Sequence, residues 1–240
     1  MNTTQQNTSP LAKNRLLAPT LLGLLLATAA PLLARTHVVT VQDNSFSPAN
    51  IVIEAGDTVR WINQGPGAHN VYAVGKFRCA NGCDAEGGDG NAAANNWVAE
   101  VTFRVPETVA YECQPHVQFG MVGTVVVQTP SSGTTHEINA QPDNSFVPDD
   151  LTVLAGDVVL LQNQGGEHNF RTLDDSLVCA DGCEGDGQLV DTDPTGFQWE
   201  NYVRFYEPGE YPYHCANPAH TSQTGILRVL SDVLFASDFE

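Results

Sequence analysis

Basic residues are scarce in this chain of 240 residues: 10 Lys and Arg stand against 28 Asp and Glu, a net charge of −18. Lys13 and Arg15 sit near the start, and beyond residue 34 the only lysine is Lys76. So acidic a chain cannot hold nucleic acid by neutralising phosphates, and anionic membrane surfaces repel it. Methionine is nearly missing too, with only Met1 and Met121. Past residue 34 there is no run of Glu, Lys and Leu of the kind that builds helices, and no apolar stretch long enough to span a bilayer. What is present is 42% hydrophobic residues, 21 Gly and 14 Pro. That supplies a core and many turns, so the composition points to a turn-rich β protein.

The one long uncharged apolar run, residues 16–30, follows a polar stretch with two positive charges. Small residues (Ala27, Ala29, Ala30, Ala34) gather at its end and just beyond it. This is the order of a secretory signal. The run is short for a bilayer span, and Pro19 interrupts it, which argues against a membrane anchor. Residues 1–34 are read as a signal cleaved between Ala29 and Arg35. The rest is then periplasmic or secreted, with no membrane insertion after cleavage, in a compartment where spare cysteines pair.

The chain repeats itself. Residues 43–65 (DNSFSPANIVIEAGDTVRWINQG) and 143–165 (DNSFVPDDLTVLAGDVVLLQNQG) are identical at about half their positions. The match continues: His69-Asn70 answers His168-Asn169, Cys79 and Cys83 answer Cys179 and Cys183, Trp97 answers Trp199, and Tyr111 and Cys113 answer Tyr213 and Cys215. This predicts one module over 35–129, a linker over 130–135, a second module over 136–230 and an acidic tail over 231–240. Ile51, Ile53, Val59 and Trp61 alternate about the turn at Ala55-Gly56, and Val101, Phe103 and Val105 alternate again. Short alternating strands between turns predict an antiparallel sandwich in each module. The stretches Gly75 to Asn96 and Thr172 to Phe197 lack strand periodicity and read as surface loops.

The first module ends YECQPHVQFGMVGTVVV, which places Cys113, His116 and Met121 in one short loop, with His69 about 44 residues earlier. A thiolate, two imidazoles and a thioether favour copper over calcium, magnesium or manganese, and zinc gains little from the thioether. Two histidines, a cysteine and a weak axial methionine form the blue-copper electron-transfer set. On these residues the module resembles the cupredoxins, with the plastocyanin-like spacing Cys-x2-His-x4-Met, Tyr111 two before the cysteine and Gly123 two after the methionine. The resemblance implies a Greek-key β-sandwich. It also implies equatorial copper ligands His69, Cys113 and His116, an axial Met121, and a His116 ring edge that serves as the electron port. The expected fold class is thus all-β, with two tandem cupredoxin-like sandwich domains.

The second module departs from the pattern. It reads YHCANPAHTSQTGILRV, so His220 lies five residues after Cys215, Pro218 takes the place of His116, and Gln223 takes that of Met121. The longer Cys–His step resembles azurin-like members, and a glutamine axial ligand resembles stellacyanin. His168, Cys215, His220 and Gln223 are the candidate ligands of a variant site, and a degenerate module kept for shape is the alternative. A glutamine oxygen is harder than a thioether, so this site is expected to have the lower potential.

With Cys113 and Cys215 as ligands, four cysteines remain, and Cys79–Cys83 and Cys179–Cys183 are expected to pair. The acidic residues beside them (Asp84, Glu86, Asp89; Asp181, Glu184, Asp186) do not match a calcium-loop spacing and read as solvated charge. The leading functional expectation is an exported electron carrier, not an enzyme, with one or two coppers, the first in the first module and the second in the variant site of the other, and a redox partner protein. Copper-dependent oxidoreduction of the nitrite-reductase kind would need a further histidine cluster. His37 and His136 are repeat equivalents, not neighbours, and the remaining His214 adjoins Cys215. Copper capture is the third reading, without the Met- or His-rich tracts that would mark it.

Overall fold

The computed structural model describes Met1, residues 35–94 and residues 96–231. All but Met1 of the expected signal, and all but Ser231 of the tail, lie outside the described residues. Among the described residues no helix is long and apolar enough to cross a membrane.

The first half forms β1 (Thr36–Gln42), β2 (Ser45–Ser47), β3 (Asn50–Glu54), β4 (Thr58–Asn63), β5 (Val71–Ala73), β6 (Phe77–Ala80), β7 (Gly82–Cys83), β8 (Val98–Thr102), β9 (Thr108–Glu112) and β10 (Val122–Gln128). They make two sheets, in the orders β2-β1-β4-β8 and β3-β10-β9-β5-β6-β7. The second half repeats this with β11 (Thr135–Ala140), β12 (Phe146–Val147), β13 (Asp150–Leu154), β14 (Val158–Asn163), β15 (Phe170–Thr172), β16 (Val178–Ala180), β17 (Gly182–Cys183), β18 (Glu200–Arg204), β19 (Gly209–His214) and β20 (Thr224–Leu230). Its sheets run β12-β11-β14-β18 and β13-β20-β19-β15-β16-β17, the same topology. The structure is thus all-β, two tandem β-sandwiches. Alternation places Val39, Val41, Val59 and Trp61 of one sheet against Ile53, Val71, Val109, Tyr111 and Val125 of the other in a shared core. Between β1 and β2, Asp43 and Asn44 both adopt positive φ, the backbone a two-residue hairpin turn requires.

Three expectations need correction. The sandwiches are not purely antiparallel: β1 pairs parallel with β4, and β3 with β10. The chain leaves one sheet and crosses to the other before it returns, so the two strands enter side by side in the same direction. The long stretches are not simply surface loops either. They contain β6, β7, β16 and β17, and Phe77, Cys79, Ala80, Cys179 and Ala180 are buried. In these pieces of two to four residues, cross-strand pairing and the disulfides Cys79–Cys83 and Cys179–Cys183 replace the missing periodicity. Finally, Asp186 is not solvated charge. It is buried, and its carboxylate accepts two hydrogen bonds from Arg104 of the first sandwich, at 2.7 and 2.8 Å.

That ion pair belongs to an extensive contact between the halves. Val158, Leu160 and Tyr202 of β14 and β18 join the apolar core of the first sandwich. The Thr102 N–H donates to the Asp186 carbonyl at 3.0 Å, the Leu189 N–H to the Lys76 carbonyl at 2.6 Å, and the Tyr202 N–H to the Arg104 carbonyl at 3.0 Å. Segment 130–135 is tied down as well: Glu54 accepts from the Ser131 and Ser132 hydroxyls and from Arg204, which also donates to the Ser132 carbonyl. The contact explains a difference between repeats. In β4 (TVRWIN) buried and exposed residues alternate, whereas Val158 to Leu161 of β14 are buried on both faces because the first sandwich covers the outer one.

Candidate metal centres

The expected ligands lie at strand ends or within the loops that join them. Cys113 follows β9, and the loop after it closes on itself. The His116 N–H donates to the Cys113 carbonyl at 2.9 Å, and the Cys113 N–H donates to the Met121 carbonyl at 3.1 Å. His69 precedes β5, and its backbone is held by a two-way pairing with Ala93, at 3.1 and 3.0 Å. Part of the function of the long stretch is therefore to pin a histidine. The indole N–H of Trp97 donates to the same Ala93 carbonyl at 3.0 Å.

These elements bring three donor atoms together. His69 Nδ1 and His116 Nδ1 are 3.1 Å apart, and the Cys113 sulfur lies 3.7 and 3.4 Å from them. The point equidistant from all three is about 2.0 Å from each. Metal–nitrogen bonds of about 2.0–2.1 Å and metal–sulfur bonds of about 2.3 Å fit that triangle with almost no adjustment. His69, Cys113 and Met121 are buried, and His116 is partly exposed.

The second half assembles an equivalent group. The Cys215 sulfur is 3.9 Å from His168 Nδ1 and 3.6 Å from His220 Nδ1. His168 is anchored to Thr195 as His69 is to Ala93, and the Trp199 indole donates to the His168 carbonyl at 3.1 Å. The altered spacing is absorbed inside the loop. His220 donates to the Asn217 carbonyl at 2.9 Å, and the Cys215 N–H still closes on the carbonyl of Gln223, at 3.1 Å. Gln223 is fully buried. Its amide nitrogen donates to the Ser145 carbonyl at 3.1 Å, while its Oε1 has no partner, nor does His168 Nε2. A buried oxygen left without a donor suits a metal ligand better than a packing residue. Ser145 was not foreseen, and no local sequence signal marks a backbone carbonyl. Among the described residues, these are the two groups of His, Cys and carboxylate donors close enough to hold a metal. His214 belongs to neither group.

The surroundings prepare the donors. Burial, with the neighbouring His116 second, holds the His69 imidazole below its ordinary pKa, and burial with His220 does the same for His168. Both rings are then neutral at neutral pH. Burial pushes the Cys113 thiol up, partly offset by backbone N–H groups of Asn70 and His116. Asn70 also braces the loop: its side-chain oxygen accepts from the Gln114 N–H at 2.9 Å, and Asn169 accepts from the Ala216 N–H at 2.8 Å. Gly123 and Gly225 permit a close approach, since a Cβ on either would lie within 2.4 Å of the Tyr111 or Tyr213 ring.

The family described as "Copper binding proteins, plastocyanin/azurin family" matches residues 35–128. Plastocyanin of Prochlorothrix hollandica is 33% identical over 110 residues, 44% of this chain and 83% of that protein. The chain belongs to the plastocyanin/azurin copper-binding family. Plastocyanin of Scenedesmus fuscus is likewise 33% identical, over 35% of this chain and 86% of that one. Among solved structures, amicyanin from Paracoccus versutus aligns at 26% identity and a TM-score of 0.30, covering 40% of this chain and 83% of that one. The family match ends at residue 128, at the close of the first half, and the second half is related to the first through the internal repeat.

Proposed function

We infer that this protein is an exported one-electron carrier. The first copper would be held by His69, Cys113 and His116 with Met121 as a weaker fourth donor, and a variant site by His168, Cys215 and His220 with Gln223. The observation that carries this reading is the donor triangle of 3.1, 3.4 and 3.7 Å, already the size of a metal's coordination shell. Copper bound there would supply the Cu(II)/Cu(I) couple. The protein's part is rigidity: both imidazoles and the sulfur are fixed by backbone pairing and by the Asn70 brace, so little rearranges when charge changes. Buried His69, Cys113 and Met121 keep water out, while the partly exposed His116 is the one donor of the first group that faces outward.

The loop that carries His116 exposes apolar side chains between two exposed glutamines, Gln114 and Gln118. Phe119 is 67% exposed, with its ring 6.3 Å from the imidazole, and Val117 and Val122 are exposed beside it. That suits brief docking of a redox partner protein. Carrier function is favoured over catalysis because the histidines that open the two halves are engaged elsewhere, His37 with Asp57 at 2.8 Å and His136 with Asp157 at 3.0 Å, and His214 joins neither donor group. Voltammetry of the copper-loaded chain tests the reading. Reversible one-electron waves, one per loaded site and unchanged by oxygen or nitrite, are expected. Catalytic current with either would contradict it. Export is tested separately, by amino-terminal sequencing of the protein recovered outside the cytoplasm, which should begin between Ala30 and Arg35.

A further inference from the structure

We propose that Gly67, and Gly166 in the second half, are positioning residues that set the seat of the first histidine in each site. The inference rests on the copper-binding reading above and extends it to residues that touch no metal.

The sequence around each histidine keeps one local pattern despite a change in length. Gln64-Gly65-Pro66-Gly67-Ala68-His69-Asn70 becomes Gln164-Gly165-Gly166-Glu167-His168-Asn169, one residue shorter, yet a glycine stays two residues before the histidine in both. The structure gives the reason. A Cβ on Gly67 would lie 2.7 Å from His69 Nε2 and 3.4 Å from both carbons flanking that nitrogen. A Cβ on Gly166 would lie 2.5 Å from His168 Nε2 and 3.1 and 3.3 Å from the same carbons. The glycine therefore meets the ring end-on, on the far edge from the Nδ1 that faces the cysteine sulfur. Its bare Cα acts as a backstop for the imidazole.

The consequence is geometric. Carbon–nitrogen contacts settle at about 3.5 Å, so a methyl group at position 67 asks for roughly 0.8 Å of movement. The ring has little freedom to tilt aside, because its backbone is clamped to Ala93 and its residue is buried. Displacement along the ring axis moves Nδ1 by a similar amount, out of a triangle that fits a metal to within about 0.2 Å. Gly166 also has a φ of +93°, which disfavours any side chain there. Gly67 carries no such constraint, so Gly67→Ala isolates the contact with the ring.

The test has two arms, both on the full chain. In the metal-free protein, the stability cost of Gly67→Ala is measured with and without His69→Ala, as a double-mutant cycle. If the methyl acts through the ring, removing the ring removes most of the cost, and a Gly67→Ala chain that fails to fold is rescued by His69→Ala. An equal cost in both backgrounds overturns the proposal. In the second arm, Cu(II) is titrated into the Cys215→Ala chain, where only the first site can give a thiolate-to-copper band. Gly67→Ala should weaken binding by about 10–100-fold and change the band's intensity or position. Gly209→Ala, whose added Cβ makes only ordinary contacts at 3.7 Å or more, should do neither. Wild-type band and affinity within twofold in Gly67→Ala would defeat this inference alone. A Cys215→Ala parent with no band at all would defeat the copper-carrier reading, and this inference with it.

Discussion

Replacing Arg104 by methionine tests how the two sandwiches are joined. Arg104 grips Asp186 through two hydrogen bonds across the junction, and the side chains are 16% and 3% exposed. The substitution keeps most of the aliphatic stem and leaves a buried carboxylate without its cation. Breaking a buried pair in this way costs about 3–5 kcal/mol, against about 0.2–1 kcal/mol for an exposed pair. Arg60–Glu100, half exposed on the first sandwich, is the internal control. The loss should depend on pH. Burial already raises the Asp186 carboxyl above its ordinary value, with Arg104 pulling the other way. An acid with a raised folded pKa binds its proton more readily folded than unfolded. Stability therefore falls as pH rises from the unfolded value through the folded one. Without Arg104 the rise is larger, so the loss is full at neutral pH and shrinks as pH falls towards about 4. Urea unfolding of the full chain at pH 7 and pH 4.5 measures both quantities. A loss below about 1 kcal/mol at pH 7, or one equal at both pH values, would refute the argument that this pair is desolvated and holds the halves together.

Other outcomes follow from the same structure. Leu160→Ala, on the face of β14 that enters the first core, should cost about 2 kcal/mol or more in urea unfolding, whereas a surface leucine would cost almost nothing. Gln223→Met should raise the reduction potential of the second site towards that of the first, because a thioether favours Cu(I) more than an amide oxygen does; redox titration of the Cys113→Ala chain reads it. In the unsubstituted chain the second site should titrate at the lower potential, so a higher one would reverse the expected direction of internal electron flow.

Much of the architecture can be read from residues alone, for physical reasons that differ by element. The alternation at Val59 and Trp61, or at Val101 and Phe103, reports a half-buried strand directly, because side chains of a pleated strand point to opposite faces. The candidate ligands are legible because Cys, His and Met in one short loop have few structural reasons to coincide, and the repeat supplies a second instance. The elements that escaped reading are those whose environment is set from far away in the chain. Strands β6 and β7 are too short for periodicity and owe their burial to a disulfide and to the other sandwich. Asp186 looks like loop charge until Arg104, 82 residues earlier, is seen beside it. The run Val158 to Leu161 did carry a signal, unbroken apolarity where the first repeat alternates, and that difference marks the covered face. Ser145, which orients the Gln223 amide through a carbonyl, has no side-chain signature at all.

The central claim is that a sulfur and two imidazole nitrogens in each half form a seat for copper. Titrating Cu(II) into the metal-free full chain and its Cys113→Ala and Cys215→Ala variants, under visible and electron paramagnetic resonance detection, tests it most directly. An intense thiolate-to-copper band that loses its main component in Cys113→Ala, and disappears in the double variant, is the predicted result. Colourless copper binding, or a band that survives loss of both cysteines, would contradict the account.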